Sequence, residues 1–365
     1  DRILFRRGEC YRRMGDRVAA DKDFRRVVAE FPKSEFRPRA GFRRAELYRE
    51  AEQYDAALAL YAAALKARPP KDIAAASRYF MGETFLKKKA TDKAVETFEQ
   101  VTARHADSEF KSYALLRLGH LYATDRDDAR KALAFYREAA RKPATDRVGA
   151  EALAQIAELH FAEAECQESA EAFRGLIKAC PTEAGAKAGL LKGGWASYYA
   201  GRYADALRYA DAGLKAAEAA ERAEWLYLKA NCERQLVRNE DAVNTYGRLL
   251  DDYDDSPFAP ASRYELALTY YKMGRFEDAV KVASEVELTG DLERDVYWLL
   301  AESHSALDRD DEAVQYYRLI TRKFPKSKLA ADAAYRLAHH LQKRGEYREA
   351  ARFFEAVARD FPDRD

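Results

Sequence analysis

The marks of an enzyme are missing from this 365-residue chain. It has no GxxxxGKS, GxxxxGKT or GxGxxG loop and no strand pattern to precede one, which removes the backbone cradle that phosphates and dinucleotides need. The six histidines, His105, His120, His160, His304, His339 and His340, include no HExxH, and no Cys/His spacing suits zinc. His339 and His340 are neighbours in a helical pattern, so their rings point roughly 100° apart and do not chelate one ion. Glu163, Glu165, Glu168 and Glu171 surround a turn and a helix start, where acids favour the helix dipole. These absences predict a non-catalytic protein with no cofactor and no metal.

Long apolar runs are missing too. None approaches the ~18–20 residues that span a bilayer, so this segment is not expected to insert into a membrane. Charge of one sign is balanced, with 63 Lys+Arg against 62 Asp+Glu, which speaks against nucleic acid as a dedicated partner. Cysteine is scarce at four residues. Cys166 and Cys180 bracket one helix and sit roughly 20 Å apart along it, too far for a disulfide. Cys10 and Cys232 are six units apart, so all four are expected to be free, which favours a reducing compartment.

What the chain does have is repetition. Small residues recur about every 37 positions, ten times: Ala20, Ala57, Ala94, Ala132, Ser169, Ala206, Ala242, Ala279, Ala313 and Ala350. About twelve residues earlier runs a second small column: Gly8, Ala45, Gly82, Gly119, Ala157, Gly194, Ala230, Ala267, Ala301 and Ala338. Four residues after the first column a ring usually follows: Phe24, Tyr61, Phe98, Tyr136, Phe173, Tyr246, Tyr317 and Phe354. Small residues let helices approach and the ring fills the space beside them. The length alone would suggest two or three domains. Yet no Gly/Ser/Pro-rich linker interrupts the register, so one array is expected over 1–365. Its units run 1–36, 37–73, 74–110, 111–148, 149–185, 186–222, 223–258, 259–294, 295–329 and 330–365. The chain opens on a repeat without Met and stops after its last helix with no polar cap, as expected of a piece of a longer protein.

The last unit shows the local logic. Ala334, Leu337, Ala338 and Leu341 form one face of a first helix, which Gly345 stops. Tyr347, Ala350, Ala351, Phe354 and Val357 form the stripe of a second helix, ended by Pro362. Gly15, Gly201 and Gly274 punctuate other pairs internally, and Pro32, Pro69, Pro181 and Pro325 close them. Each unit therefore reads as two antiparallel helices that must stack on neighbours to bury their stripes.

The column residues, such as Leu118, Gly119 and Tyr122, or Leu266, Ala267 and Tyr270, resemble the tetratricopeptide repeat over essentially the whole chain. The resemblance implies an all-α, right-handed superhelical solenoid of about ten antiparallel helix pairs, a scaffold that binds a protein or peptide segment in its concave groove. The long period and endings such as Phe31-Pro32-Lys33-Ser34 and Phe324-Pro325-Lys326-Ser327 resemble bacterial cell-envelope members, of the outer-membrane assembly lipoprotein and Tol–Pal-associated type. That implies a periplasmic or envelope setting, against which the free cysteines point to the cytoplasm.

The resemblance also implies that first helices line the groove, from columns that begin at Arg2, Phe5, Arg6, Glu9, Arg12 and Arg13. Arg6, Arg39 and Arg43 then form a basic zone, either for an acidic peptide or engaged with the interspersed Glu9, Glu46 and Glu50. Units 1–36 and 37–73 each carry +3, unit 111–148 carries +4, whereas 149–185 carries −5 and 223–258 carries −4. The sixth unit is the irregular one. Gly189, Gly193 and Gly194 stand inside its first helix, each costing ~0.5–1 kcal/mol relative to Ala. Ala210 and Gly213 replace larger groups in its second, so packing is expected to be lost there. The same unit carries Trp195, Tyr198 and Tyr199, with Glu158 and Phe161 before them. Tyr227, Asn231, Arg234, Tyr264, Tyr271 and Trp298 follow. Aromatics with a polar tip are frequent interface anchors. Rings in the Phe5 column (Phe5, Phe42, Tyr79, Tyr227, Tyr264, Trp298, Tyr335) also suit packing. Two alternatives stand beside a peptide-binding scaffold: RNA or polyanion binding through the N-terminal arginines, and a recruiting arm of a larger enzyme.

Overall fold

The computed structural model describes residues 1–141, 147–179, 184–288 and 290–360. Cys180 and Pro181 lie outside them. Among the described residues there are twenty α-helices, one 3-10 turn and no strand. The chain divides into two compact units, Asp1–Gly189 and Leu190–Asp365.

In the first unit the pairs are α1 (Arg2–Arg13) with α2 (Arg17–Glu30), α3 (Arg37–Glu50) with α4 (Tyr54–Lys66), and α5 (Lys71–Lys87) with α6 (Thr91–Arg104). There follow α7 (Glu109–Thr124) with α8 (Ala129–Ala139) and α9 (Arg147–Ala162) with α10 (Cys166–Ala179), and the division falls within α11 (Ala184–Tyr199). The second unit continues with α12 (Tyr203–Ala216), then α13 (Arg222–Gln235) with α14 (Asn239–Asp252) and α15 (Ala259–Lys272) with α16 (Phe276–Ala283). It closes with α17 (Gly290–Ala306) and α18 (Asp310–Lys323), then α19 (Lys328–Lys343) and α20 (Tyr347–Asp360). Within each unit a helix packs on its pair mate and on the next helix in sequence, and first helices also touch the following first helix, as α5 does α7 and α15 does α17.

The two small-residue columns are the seam of these pairs. Ala20, Ala57, Ala94, Ala132, Ala206, Ala242, Ala279 and Ala313 are fully buried. Ser169, the exception in its column, is buried as well and donates its hydroxyl to the Ala157 carbonyl at 2.9 Å. A methyl group added at Gly82 would stand 2.6 Å from the Phe98 ring, and one at Gly119 only 2.4 Å from Tyr136. Fully burying such a ring contributes about 1.5–3 kcal/mol, which the close helix approach makes available. The hairpin turn inside every pair places one residue at positive φ, among them Gly15, Glu52, Lys89, Val237 and Gly345, to end the first helix.

The sixth repeat departs from the sequence expectation. Its missing ring leaves no void, because the next repeat supplies one. Trp225 of α13 is 4% exposed and lies over Gly213, where a methyl would stand 2.4 Å from the indole. Leu228 comes as close to Gly194, at 2.7 Å from an added methyl. Gly194 of α11 and Gly213 of α12 thus admit α13, and Ala206, Ala210, Trp225, Leu228 and Cys232 form one core cluster. In the eighth repeat Ala283 clusters with Val286 and with Val296, Leu299 and Leu300 of the next repeat.

Candidate functional site

Charged rungs join three of the repeats to the next. The acid that follows the second small column pairs with an arginine one repeat on: Glu9 with Arg43 at 2.9 Å, Glu83 with Arg117 at 2.8 Å and Glu302 with Arg336 at 3.5 Å. In the sixth and seventh repeats the same column holds Trp195 and Asn231. A ring and an amide therefore stand where the charged rung would be. The members of each rung are 34 residues apart, a spacing visible in the sequence.

Trp195 is half-buried on α11 and donates its indole N–H to Glu224 of α13 at 3.0 Å. Tyr199 stacks on it at 5.8 Å and 25°, with 61% of its surface exposed. Tyr198 meets the indole edge-on at 5.7 Å, and Tyr227 of α13 reaches it at 6.0 Å. Phe258 extends the row, 5.5 Å from Tyr227. Burial pushes the Tyr198 and Tyr227 phenols above their usual range, so both are neutral hydrogen-bonding groups, and Gln235 donates to the Tyr198 oxygen at 3.4 Å. Glu224 and Phe258, which the sequence reading did not single out, complete the cluster.

Asn231 is 3% exposed: its amide donates to the Tyr227 carbonyl at 2.9 Å and accepts from the Tyr246 hydroxyl at 3.0 Å. Arg234 faces Glu265 of α15 across 3.1 Å, both partly buried. Burial drives the Glu265 carboxyl upward against the pull of Arg234. Burial also works against the Arg234 charge, but Glu265 and Tyr246 outweigh it. Further along, burial pushes the half-buried Tyr264 phenol up to about 12, and Tyr271 meets Phe276 at 5.4 Å. Trp298 contacts Tyr317 at 5.9 Å and lines a cavity of about 590 Å³ with Tyr335, Arg336 and Phe354. Most of the Phe5-column rings touch the ring of their own second helix, as Phe5 does Phe24 and Tyr79 does Phe98. Tyr227 reaches the neighbouring repeat's Trp195 as well.

Glu158 and Phe161 are half-buried on α9, in the first unit. There the basic zone is partly occupied by its own acids. Arg43 bridges Glu9 at 2.9 Å and Glu46 at 2.5 Å, and Arg12 reaches Glu9 at 3.5 Å. Arg6 and Arg39 are exposed and form no ion pair with described residues. Cys10, Cys166 and Cys232 are free thiols, and burial lifts the Cys232 thiol to about 12, which keeps it protonated and inert. His340 is held between Asp310 and Ser305, at 2.9 and 3.1 Å, while His339 packs on Tyr335. No described helix is long and apolar enough to cross a membrane.

Sequence models described as tetratricopeptide repeat match residues 2–34, 48–117, 191–260, 264–328 and 333–364, well over half of the chain. The chain belongs to the tetratricopeptide-repeat family. Tetratricopeptide repeats (TPRs) serve as non-catalytic scaffolds for protein–protein interaction and bind proteins or peptides. No curated protein sequence matches the chain. Among solved structures it is similar to a TPR protein from Parabacteroides merdae, at 16% identity and a TM-score of 0.43, covering 73% of this chain and 98% of that one. It is also similar to PilW, described as a type IV pilus biogenesis factor, at 22% identity and a TM-score of 0.44, covering 60% and 95%. A third is YrrB, described as a TPR protein with an unusual peptide-binding site, at 14% and 0.42, covering 60% and 99%.

Proposed function

We propose that this TPR array holds a partner segment against the aromatic cluster of Trp195, Tyr198, Tyr199 and Tyr227. One observation carries the reading: Tyr199 is 61% exposed yet held in a stack on Trp195, whose own N–H is fixed by Glu224. An exposed ring with a fixed orientation offers apolar area at little further entropy cost, the property of an interface anchor. Asn231, bonded to Tyr227 and Tyr246, and Arg234, paired with Glu265, support the cluster from behind.

The setting proposed is a bacterial envelope complex, on the support of the long repeat period and the Phe-Pro-Lys-Ser endings. The test replaces Trp195 and Tyr198 by alanine in the full-length protein and compares proteins retained on wild-type and variant. Loss of a specific partner with unchanged helical circular dichroism supports the reading. Equal retention refutes it.

A further inference from the structure

The second repeat lacks two side chains that the register mostly supplies. Four residues before the second small column stand Leu4, Leu115, Leu153, Leu190 and Leu226, but here Gly41. Seven residues after the first small column stand Val27, Val101, Leu176, Leu249, Val286, Ile320 and Val357, but here Ala64. The two positions face each other: a methyl group added at Gly41 would come to 3.7 Å from the Ala64 methyl, an ordinary contact. In the sixth repeat a missing group is replaced by Trp225. Here the gap stays open, as a cavity of about 280 Å³ between α2, α3 and α4.

The floor of this cavity is apolar, from Val28, Leu60, Ala63 and Ala64. Its charged lining is basic, from Lys33, Arg37 and Arg44, with no carboxylate among the described residues that line it. Arg44 is paired with Asp21 at 2.7 Å, so its charge is already compensated. That of Arg37 is not. Half-buried at the start of α3, Arg37 donates Nε–H to the Val28 carbonyl at 3.2 Å and Nη1–H to the Pro32 carbonyl at 3.5 Å. Two neutral carbonyls thus fix the guanidinium without cancelling its charge, and its other N–H groups remain to donate. Lys33 is exposed and, like Arg37, makes no ion pair with described residues. The acids close by in sequence do not serve them: Glu30 is paired with Arg26 at 3.0 Å, and Glu35 is exposed and in no ion pair with described residues.

We propose that this cavity binds a small monocarboxylate with an apolar body. The body rests on Val28, Leu60 and Ala64, in the space that Gly41 leaves, and the carboxylate meets Arg37 and Lys33. The volume lies just under the ~300 Å³ at which small-molecule sites commonly begin, which suits an occupant of few atoms. A guanidinium already held in place loses little freedom on binding, and its planar fork matches a carboxylate. The site lies in the first unit and does not depend on the partner site proposed above.

The test titrates the full-length protein with octanoate, octylammonium and octanol at matched ionic strength and follows the Ala63 and Ala64 methyl signals by NMR. Octanoate is expected to shift them saturably and to bind at least about tenfold more tightly than octylammonium. Gly41→Leu, which installs the residue found at Leu4 and Leu115, is expected to keep the fold and abolish the octanoate shift. The paired substitution Lys33→Gln and Arg37→Gln is expected to weaken octanoate by about tenfold and leave octanol unchanged. Octanoate binding no tighter than that of octylammonium, or binding that survives Gly41→Leu, overturns the proposal. So does the lack of any saturable shift, which would make the cavity a packing gap.

Discussion

The Trp225 indole lies over the backbone of Gly213, so close that a single methyl group on the glycine would stand 2.4 Å from the ring. One helix has given up a side chain and the next repeat has filled the space. Gly213→Ala is therefore expected to destabilise the protein by about 1–3 kcal/mol, despite alanine's better helix propensity. Gly175 of α10 and Gly247 of α14 have open space beside them. Alanine at either should stabilise by about 0.5–1 kcal/mol. Urea unfolding of the three variants checks the opposite signs.

Val237 ends α13 at φ 60°, a left-handed conformation that glycine holds at the same turn in other repeats. A β-branched residue is strained there by roughly 1–2 kcal/mol. Val237 is 77% exposed, so little packing is lost when it is changed. Val237→Gly is expected to raise the unfolding free energy by about 1 kcal/mol after the entropy cost of glycine. An equal or lower unfolding midpoint would contradict this.

Burial holds the Glu233 carboxyl above its unfolded value of 4.5, with Thr245 donating to it at 2.6 Å. The fold thus favours the protonated form. Its contribution to stability is complete below about pH 4.5 and disappears as pH rises through the folded pKa. Glu233→Gln, which stays neutral, should melt higher than wild type near pH 7 and match it near pH 4. Asp23 has the opposite sign. The Arg7 hydrogen bonds, at 2.6 and 2.7 Å, hold its carboxyl below 3.8. Asp23→Asn should melt lower near pH 7, and the gap should close as pH falls below about 3.8.

The Arg234–Glu265 pair predicts non-additive mutants. Arg234→Ala leaves a partly buried carboxylate without its cation and should cost on the order of 3 kcal/mol. Replacing both by apolar residues of similar size should recover most of that loss. A double variant as unstable as the sum of the singles would contradict the coupling.

Much of this fold was legible because its signal is periodic. Gly8 with Phe24 and Gly82 with Phe98 sit 16 residues apart and Gly119 with Tyr136 sits 17 apart, and in each the ring packs against the glycine. The aromatic grouping of Trp195, Tyr198 and Tyr199 was legible too, from three rings at helical spacing. What escaped was compensation between repeats. Trp225 breaks no pattern of its own, so nothing in its repeat announces that it fills a gap in the previous one. Asn231 is placed near the groove by its position alone, beside Tyr227 and Arg234. Its burial depends on the Tyr246 hydroxyl, which reaches it from another helix.

The exposed Trp195–Tyr199 stack is the surface proposed to hold the partner. The most direct measurement places a photo-cross-linking amino acid at position 199 of the full-length protein, with exposed Tyr347 as control. One dominant cross-linked protein is expected from position 199, absent from position 347 and lost when Trp195→Ala is added. The same products from both positions, or a cross-link that survives loss of Trp195, would contradict it.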